Sequence, residues 1–591
     1  MDKLDKTRSK ARKSGTVEAW RAVLALAPED PEAHFQVGNA ALADGDAATA
    51  VARYRRARAV APDVEAVAAN LATALAALGL AEQDAGRHQV AAETFREALP
   101  LSDSPILRNN LALSLIALRQ FDAAIDLLRP LNDLAAQRNL AQALELAGRH
   151  EQARRTWEAL QAAMPGDADA LAHLFHASLQ TCAWDELDSL KARLAATIDG
   201  DPCPALPLFA LQGMELTTTQ ARRAAKSAAP AAEPLPARPL SSGLLTVGYL
   251  SPDLRGHSVG RSLAAVFAAH DRAKLHVVGY AVGDAAPDDV GLDRVADLRH
   301  RPAEAIAETI AEDGVDILVD LAGPTRGGAL EVLARHPAPL SAHYFGYGGS
   351  LGGLVDYLVS DATHLPDPAD VAEAVVHLPG SFFVAAQPAI GSTTRSEHDL
   401  PDDAKVLMNL NAPYKTQPAM FRAWLDILAR RDDAVLWLLD GGSQANNRLR
   451  GAAGAQKNRL VFAPAVDHAT HAARQTLADV ALDTYPHGGG VTTLDALAAG
   501  VPVVTLTGAT PASRTGASIL HAAGMPGLLC DNVGDYVATV LAMLDRRTPP
   551  GALSLFNPAA RAKQLKTAFE KMADRHRAGL PPASFTVEDT S

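Results

Sequence analysis

The feature that most constrains this chain is a helical repeat that runs for a stretch and then gives way to a different periodicity. Gly45, Ala50, Tyr54 and Pro62 return at the same spacing as Gly148, Ala153, Trp157 and Pro165. Gly86, Ala91 and Phe95 echo them with the proline arriving early, at Pro100, and a copy without the glycine runs through Arg119, Ala124 and Leu128 to Pro130. A small residue where two helices cross, an aromatic on the second helix and a proline at the exit make the tetratricopeptide pattern. One such pair cannot bury its own apolar face, so copies must stack into a superhelix. The copies are unevenly spaced, and the helix before Gly86 is longer than a standard repeat; a generic helical bundle is the competing reading. Gly166–Leu194 adds a further degenerate pair, and Ala205–Ala225 a capping helix.

The domain plan follows from where the pattern stops. Residues 1–16 are a basic tail and 17–226 the repeat arm. Residues 227–243 are a linker rich in proline, alanine and serine, a composition that cannot build a core. From Leu244 short apolar strands alternate with helices: Leu245–Leu250, His276–Ala281, Val315–Leu321, Ser341–Phe345 and Asp356–Ser360. A second set opens at Pro401–Asp403 with Val406–Asn409, Val435–Leu439, Val461-Phe462, Ala478–Leu482 and Val503–Leu506. This is the signature of doubly wound parallel sheets. It predicts two Rossmann-like lobes, 244–400 and 401–579, joined near Phe382–Leu400. The helix Asn557–Arg577 packs back across them, and 580–591 is a frayed tail.

A chain of 591 residues exceeds one core, and a net charge of -13 argues against a nucleic-acid binder. No apolar run reaches the roughly 18 residues of a membrane span, and Lys3–Lys13 is too short and polar for a secretory leader. Cys182, Cys203 and Cys530 have no metal-ligand spacing. The expected compartment is the cytoplasm.

Ligands of open α/β sheets bind beyond the carboxyl ends of the strands. Three stretches stand there. Gly488-Gly489-Gly490, followed by Val491-Thr492-Thr493, opens a helix, where glycines let a phosphate approach unpaired N–H groups. His468, His471 and Arg474 follow an earlier strand of the same lobe. In the first lobe, Ser251–His257 ends the first strand and puts His257 in reach of a substrate as a hydrogen-bonding or acid–base group. Taken alone, the glycine turn is equally a tight turn with no ligand, and His257 equally a loop histidine satisfied by backbone.

These stretches resemble the O-linked N-acetylglucosamine transferase and SPINDLY family of protein glycosyltransferases, from about Leu244 to Leu529, behind a repeat array of the kind that family carries. Asp253 and His257 match its D-x-x-x-H after the first strand. Asp320–Thr325, with Gly323 and Thr325, matches a loop ending in G-x-T. His336–Pro339 and Gly346–Gly352, with Gly346, Tyr347 and Ser350, resemble its R-P-A-P and G-Y-P-G-T-x-G segments. In those, His336, Gly348 and Ser350 replace arginine, proline and threonine. Asn411–Lys415 matches N-x-x-Y-K.

The resemblance implies a GT-B fold, a nucleotide-sugar donor as substrate, no cofactor and no metal. Lys415 and His257 are then the catalytic residues, with Lys415 neutralising the phosphate as the glycosidic bond breaks. Arg474 is a second cation, His471 matches a family histidine, and Asp495 holds the ribose. Ala412 replaces a glutamine, His468 a lysine, and Gly490-Val491 a His-Thr pair ahead of Thr492, so Gly489–Thr492 keep the cradle while the donor contacts change. Asp253, Gly323, Thr325, Gly346, Tyr347 and Ser350 line the acceptor side.

The partner is a protein acceptor modified on Ser or Thr and selected by the arm. Some bacterial relatives modify flagellin from nonulosonic-acid donors, so a cytidine-linked nonulosonic acid stands beside a uridine-linked hexosamine. Two rivals remain: a repeat scaffold with an inactive, nucleotide-binding transferase half, and a nucleotide-sugar epimerase.

Overall fold

The repeat forms because apolar stripes recur on consecutive helices and the turn between them accepts a left-handed residue. The pairs are Pro31–Ala43 with Ala47–Val60, Glu65–Asp84 with His88–Ala98, Pro105–Ala117 with Phe121–Leu128, and Leu134–Leu146 with His150–Ala163. Asp30, Asp46 and Asp133 cap helix starts by accepting a backbone N–H. The repeated small positions Ala50, Ala91, Ala124 and Ala153 are fully buried, as are Tyr54, Phe95, Leu128 and Trp157.

The repeated glycine does a different job from the one its spacing suggests. Gly45, Gly86 and Gly148 sit in the turns with φ of 80°, 72° and 73°. The close helix crossings belong to Gly38 and Gly79, where a Cβ would lie 2.8 and 2.6 Å from the rings of Tyr54 and Phe95. In the copy without the glycine, Arg119 takes the same left-handed turn at φ 60° against the steric cost of a side chain.

In this computed structural model residues 3–546 and 554–588 are described, so residues 1–2 of the expected basic tail and 589–591 of the C-terminal tail lie outside them. The basic segment is a helix, Lys3–Ser14, whose Ala11 is buried in a cluster with Trp20 and Val23. Glu65–Asp84, a 20-residue helix holding an 18-residue window of mean hydropathy 1.2, is by length and composition alone apolar enough to cross a membrane, contrary to the sequence reading, and 33% of that window is buried in the protein. Its alanines raise the average, while Val67, Leu71, Leu75 and Gly79 turn inward.

The chain divides into two compact units inside the helix His150–Ala163. One runs to Thr156 and takes in His300–Pro302; the other starts at Trp157. The sequence placed the division at 227–243 instead. The reason for the difference is side-chain bonding. The helices Ala168–Gln180, Leu187–Asp199, Leu208–Leu211 and Thr218–Ala228 continue the repeat in appearance but dock on the second lobe. Gln417 donates to the Gly213 carbonyl at 2.7 Å, Lys191 to Gln417 at 2.7 Å, and Arg448 to the Thr181 carbonyl at 2.9 Å. Nor is 227–243 a free linker: Leu235 donates its N–H to Arg335 at 2.8 Å, and Ser241 bonds Asp316 through both its N–H and its hydroxyl at 2.7 Å.

The first lobe carries β1 Leu245–Ser251, β2 Leu275–Ala281, β3 Arg294–Asp297, β4 Ile317–Asp320, β5 Leu340–Tyr344, β6 Tyr357–Ser360 and β7 Ala374–His377. The second carries β8 Lys405–Asn409, β9 Ala434–Leu439, β10 Leu460–Ala463, β11 Val480–Leu482, β12 Val503–Leu506 and β13 Leu529–Cys530. Phe585–Thr586, β14, lies in the expected frayed tail yet pairs with β7, so the first sheet reads β14-β7-β6-β5-β4-β1-β2-β3. The second reads β10-β9-β8-β11-β12-β13, and the pairs in both are parallel.

The helix Pro558–Arg577 packs back on the first lobe, with the rings of Phe569 and His270 6.4 Å apart. Between the lobes, Ser518 donates to Asp361 at 2.6 Å and shares a 2.6 Å bond with Ser381.

Candidate functional site

The second lobe brings its chemistry to the ends of β8 and β11. Pro413–Lys415 is a single helical turn after β8. It places the Lys415 ammonium 2.7 Å from the Gly488 carbonyl, to which it donates. Burial lowers Lys415 to about 8, opposed by the Asp483 carboxylate. Asp483, itself buried just past β11, accepts from the Thr505 hydroxyl at 2.5 Å, from Gly489 N–H at 2.7 Å and from Thr484 N–H at 2.8 Å. Burial raises its pKa while these donors oppose the shift.

The glycine turn is built differently from the expected cradle. Gly488 N–H bonds the Ala512 carbonyl at 2.9 Å and Gly489 N–H bonds Asp483, so two of the three glycine donors are already used. A Cβ on Gly489 would meet the Thr492 and Thr493 hydroxyls at 2.7 Å, and one on Gly490 the Phe383 ring at 2.7 Å. Among the described residues, the donors at this turn without a partner are those of Gly490, Val491 and Thr492, at the start of the helix Val491–Ala498. Thr492 is fixed there by its hydroxyl, which donates to Asn411 at 2.7 Å. A small cavity lined by Asn409, Asn411, His471, Asp483, Thr492 and Thr493 lies beside it. Ala412, which precedes the Lys415 turn, is partly exposed.

Arg474 does not face this cavity as a free cation. It is 1% exposed, donates to the Pro464 carbonyl at 2.7 Å and to His471 Nδ1 at 2.9 Å, and its centre lies 5.9 Å from the Trp437 ring. Its role here is to hold His471, whose pKa is lowered to about 4 by burial and by that guanidinium. His468 Nε2 lies 3.6 Å from Asp495, which is 8% exposed on the helix after the turn.

In the first lobe His257 stands at the start of the helix Ser258–Ala269, its Nδ1 3.2 Å from the Asp253 carboxylate. Burial lowers the imidazole, with Asp253 opposing, and burial raises Asp253, with His257 opposing. A neutral ring held at Nδ1 by a carboxylate leaves Nε2 to accept a proton. One turn on, Arg261 is lowered by desolvation and drawn back by Asp495, and it also acts on His471, so it joins the two lobes electrostatically. Sequence patterning had no signal for it.

The first-lobe loops expected on the acceptor side are mostly self-satisfied. Gly346 has the Leu321 carbonyl 2.0 Å from where a Cβ would stand, and Gly323 holds φ 59° with its N–H on Asp320 at 2.7 Å. Thr325 donates to the Ala322 carbonyl at 3.0 Å, and Ser350 to buried Glu373 at 2.7 Å. Gly348, where the family has proline, is filled on one side by His364, 2.8 Å from a notional Cβ.

The two loops are joined by a pair the sequence did not flag. Buried His343 bonds Asp320 at 2.6 Å and the Tyr347 carbonyl at 2.7 Å. Burial lowers that imidazole, but Asp320, together with the Tyr347 carbonyl and Glu373, leaves the pKa raised. Tyr347 and Ser350 line a groove whose other walls include Leu208, Leu211, Met214 and Pro511. Among the described residues no three His, Cys, Asp or Glu side chains gather as a metal site.

The chain is 30% identical over 377 residues to a probable UDP-N-acetylglucosamine–peptide N-acetylglucosaminyltransferase SEC of Arabidopsis thaliana, covering 58% of this chain and 38% of the relative. A SPINDLY protein of rice with the same description is 29% identical over 374 residues, 57% of this chain and 40% of its own. The chain thus spans well under half the length of these relatives. A solved Lys-to-Met mutant of Thermobaculum terrenum O-GlcNAc transferase superposes with a TM-score of 0.57 at 25% identity, over 93% of this chain and 98% of that one. The helical repeats and paired Rossmann-like lobes are therefore those of a GT-B transferase. The family model for glycosyl transferase family 41 matches residues 235–390 and 385–547, more than half the chain, and the chain belongs to that family.

Proposed function

We propose that this chain is a protein O-glycosyltransferase that moves a sugar from a nucleotide-sugar donor to a Ser or Thr hydroxyl of a protein acceptor. The observation that carries the reading is the Lys415 ammonium held over the Gly488 turn, beside the unpaired N–H groups of Val491 and Thr492. In the reaction the acceptor oxygen bonds to the anomeric carbon as the bond from that carbon to the donor phosphate breaks. The hydroxyl proton passes to His257 Nε2, and the leaving nucleotide keeps the electron pair. Lys415 and the helix N-terminus offset its charge, an interaction that is strongest in the transition state. Asp495 takes the ribose, and no metal or cofactor takes part. The groove beside Tyr347 receives the polypeptide, with the repeat arm as its selector. The chain works in the cytoplasm, where its free Cys182, Cys203 and Cys530 stay reduced.

The relatives' names favour UDP-N-acetylglucosamine as donor, while His468 and Gly490-Val491 at altered pocket positions keep a cytidine-linked nonulosonic acid, with flagellin as acceptor, in the panel. The test is incubation of the purified chain with UDP- and CMP-sugars and candidate acceptors, reading nucleotide release and mass gain on Ser or Thr. Transfer unaffected by a chelator is the expected result. Nucleotide binding with no transfer to any acceptor overturns the reading in favour of a scaffold, and donor conversion without an acceptor overturns it in favour of an epimerase.

A further inference from the structure

Two aromatic side chains from outside the Rossmann-like lobes reach the residues around Lys415. Phe209, on the short helix Leu208–Leu211, stands edge-on to Tyr414 with ring centroids 5.8 Å apart, and edge-on to His487 at 6.0 Å. Tyr414 and His487 face each other at 5.6 Å. His176, from Ala168–Gln180, closes the cluster at 5.2 Å from Tyr414 and 5.8 Å from Phe209. Connectivity gives this cluster its leverage. Tyr414 immediately precedes Lys415, and His487 immediately precedes Gly488, whose carbonyl accepts the Lys415 ammonium. One phenyl ring therefore touches residues on both sides of a single hydrogen bond.

We propose that Phe209 is a positioning residue for Lys415: by bridging Tyr414 and His487 it holds the Lys415–Gly488 bond in place and keeps water from the ammonium. Its importance for turnover rests on the function proposed above, but its effect on Lys415 does not. The titratable groups that act on the ammonium are Asp483 from the end of β11 and His487 from the glycine turn, with Tyr414 and His176 packed around His487. Asp483 favours the charged form. Burial, Lys415 and His176 together push His487 well below the ordinary histidine range, so this wall of the site is uncharged. Burial likewise raises the Tyr414 phenol to about 12. Taking the phenyl away admits water, and a rehydrated ammonium returns toward the ordinary lysine range. The ring is delivered by a segment that is itself bonded to the second lobe through Gly213 and Gln417, so its placement is fixed from behind.

The experiment labels the full-length protein with acetic anhydride across a pH series and reads acetylation of Lys415 by mass spectrometry. No donor or acceptor is needed, so an absence of transfer activity leaves the measurement intact. Wild type is expected to reach half-maximal labelling near pH 8. Phe209→Ala is expected to move that midpoint up by at least about one pH unit, and Phe209→Tyr, which keeps the ring, to leave it close to wild type. Where Phe209→Ala does not fold, Phe209→Leu is read the same way. A folded variant without the ring whose midpoint is unmoved, even with a lowered Tm, overturns the proposal, because a purely structural role changes stability alone.

Discussion

Lys415 is held where its charge is costly, which is the arrangement expected of a group whose charge is wanted when a phosphate arrives. Lys415→Ala is expected to lower kcat by at least about a hundredfold, the scale of losing one transition-state charge stabiliser. Steady-state kinetics beside a melting curve checks it, and near-normal turnover in the folded variant removes the assignment. The pH dependence has two signs. The folded value, about 8, lies below the ordinary lysine value, so the unfolded chain holds this proton more tightly across the interval between them. The contribution of Lys415 to stability therefore rises with pH across that interval, while kcat/KM falls as the ammonium is lost. Thr492→Val removes only the hydroxyl bonded to Asn411 and should weaken nucleotide binding about fivefold to tenfold, by the worth of one hydrogen bond. Calorimetry decides, and unchanged affinity moves the phosphate away from this turn. Gly490 is a poorer probe than its sequence context suggests, because any side chain there meets Phe383 before it meets a ligand.

Helices and strands were legible to different degrees, for reasons that can be named. The arm's spacing was readable because Ala50, Ala91, Ala124 and Ala153 recur at positions with no room for more. The meaning of its glycines was not, since a left-handed turn and a close crossing both call for the same residue. The structure separates them, and a pair of substitutions tests the separation. Gly79→Ala drives a methyl into the Phe95 ring and should cost about 1–3 kcal/mol, whereas Gly148→Ala meets open space and costs only the left-handed backbone, about 1 kcal/mol. Chemical denaturation of the full chain measures both, and equal losses defeat the distinction. The strands β1, β2, β4 to β6 and β8 to β12 announced themselves as buried apolar runs. The strands β3, β7, β13 and β14 did not, because their residues are often polar or half-exposed, as in Arg294-Val295-Ala296-Asp297. Candidate residues were readable at several strand ends, as at His257, Asn411 and Lys415. Asp483 was missed although it follows β11, Arg261 and His343 lie inside a helix and a strand with no motif to mark them, and Phe209 comes from afar in sequence.

Across the whole molecule, the seam that matters for dissection lies at Thr156 and not in the proline-rich segment. A chain beginning at Trp157 should keep nucleotide affinity within about twofold, since the second unit retains its own core and bonds. One beginning at Leu244 lacks Phe209, His176 and the Gly213 carbonyl that Gln417 needs, and should melt earlier and bind more weakly. Differential scanning calorimetry with nucleotide titration compares the two, and indistinguishable behaviour would return the boundary to 227–243. The pairing of β14 with β7 carries a consequence for how the protein is made. The first lobe is synthesised well ahead of the second, yet one of its edge strands meets its neighbour only when Phe585 and Thr586 emerge, after every strand of the second sheet. Until then the ribosome carries a lobe with β7 unpaired along one side, a state open to mispairing with other nascent chains. Ribosomes stalled before the helix Pro558–Arg577 should therefore display a first lobe far more sensitive to protease than the released protein.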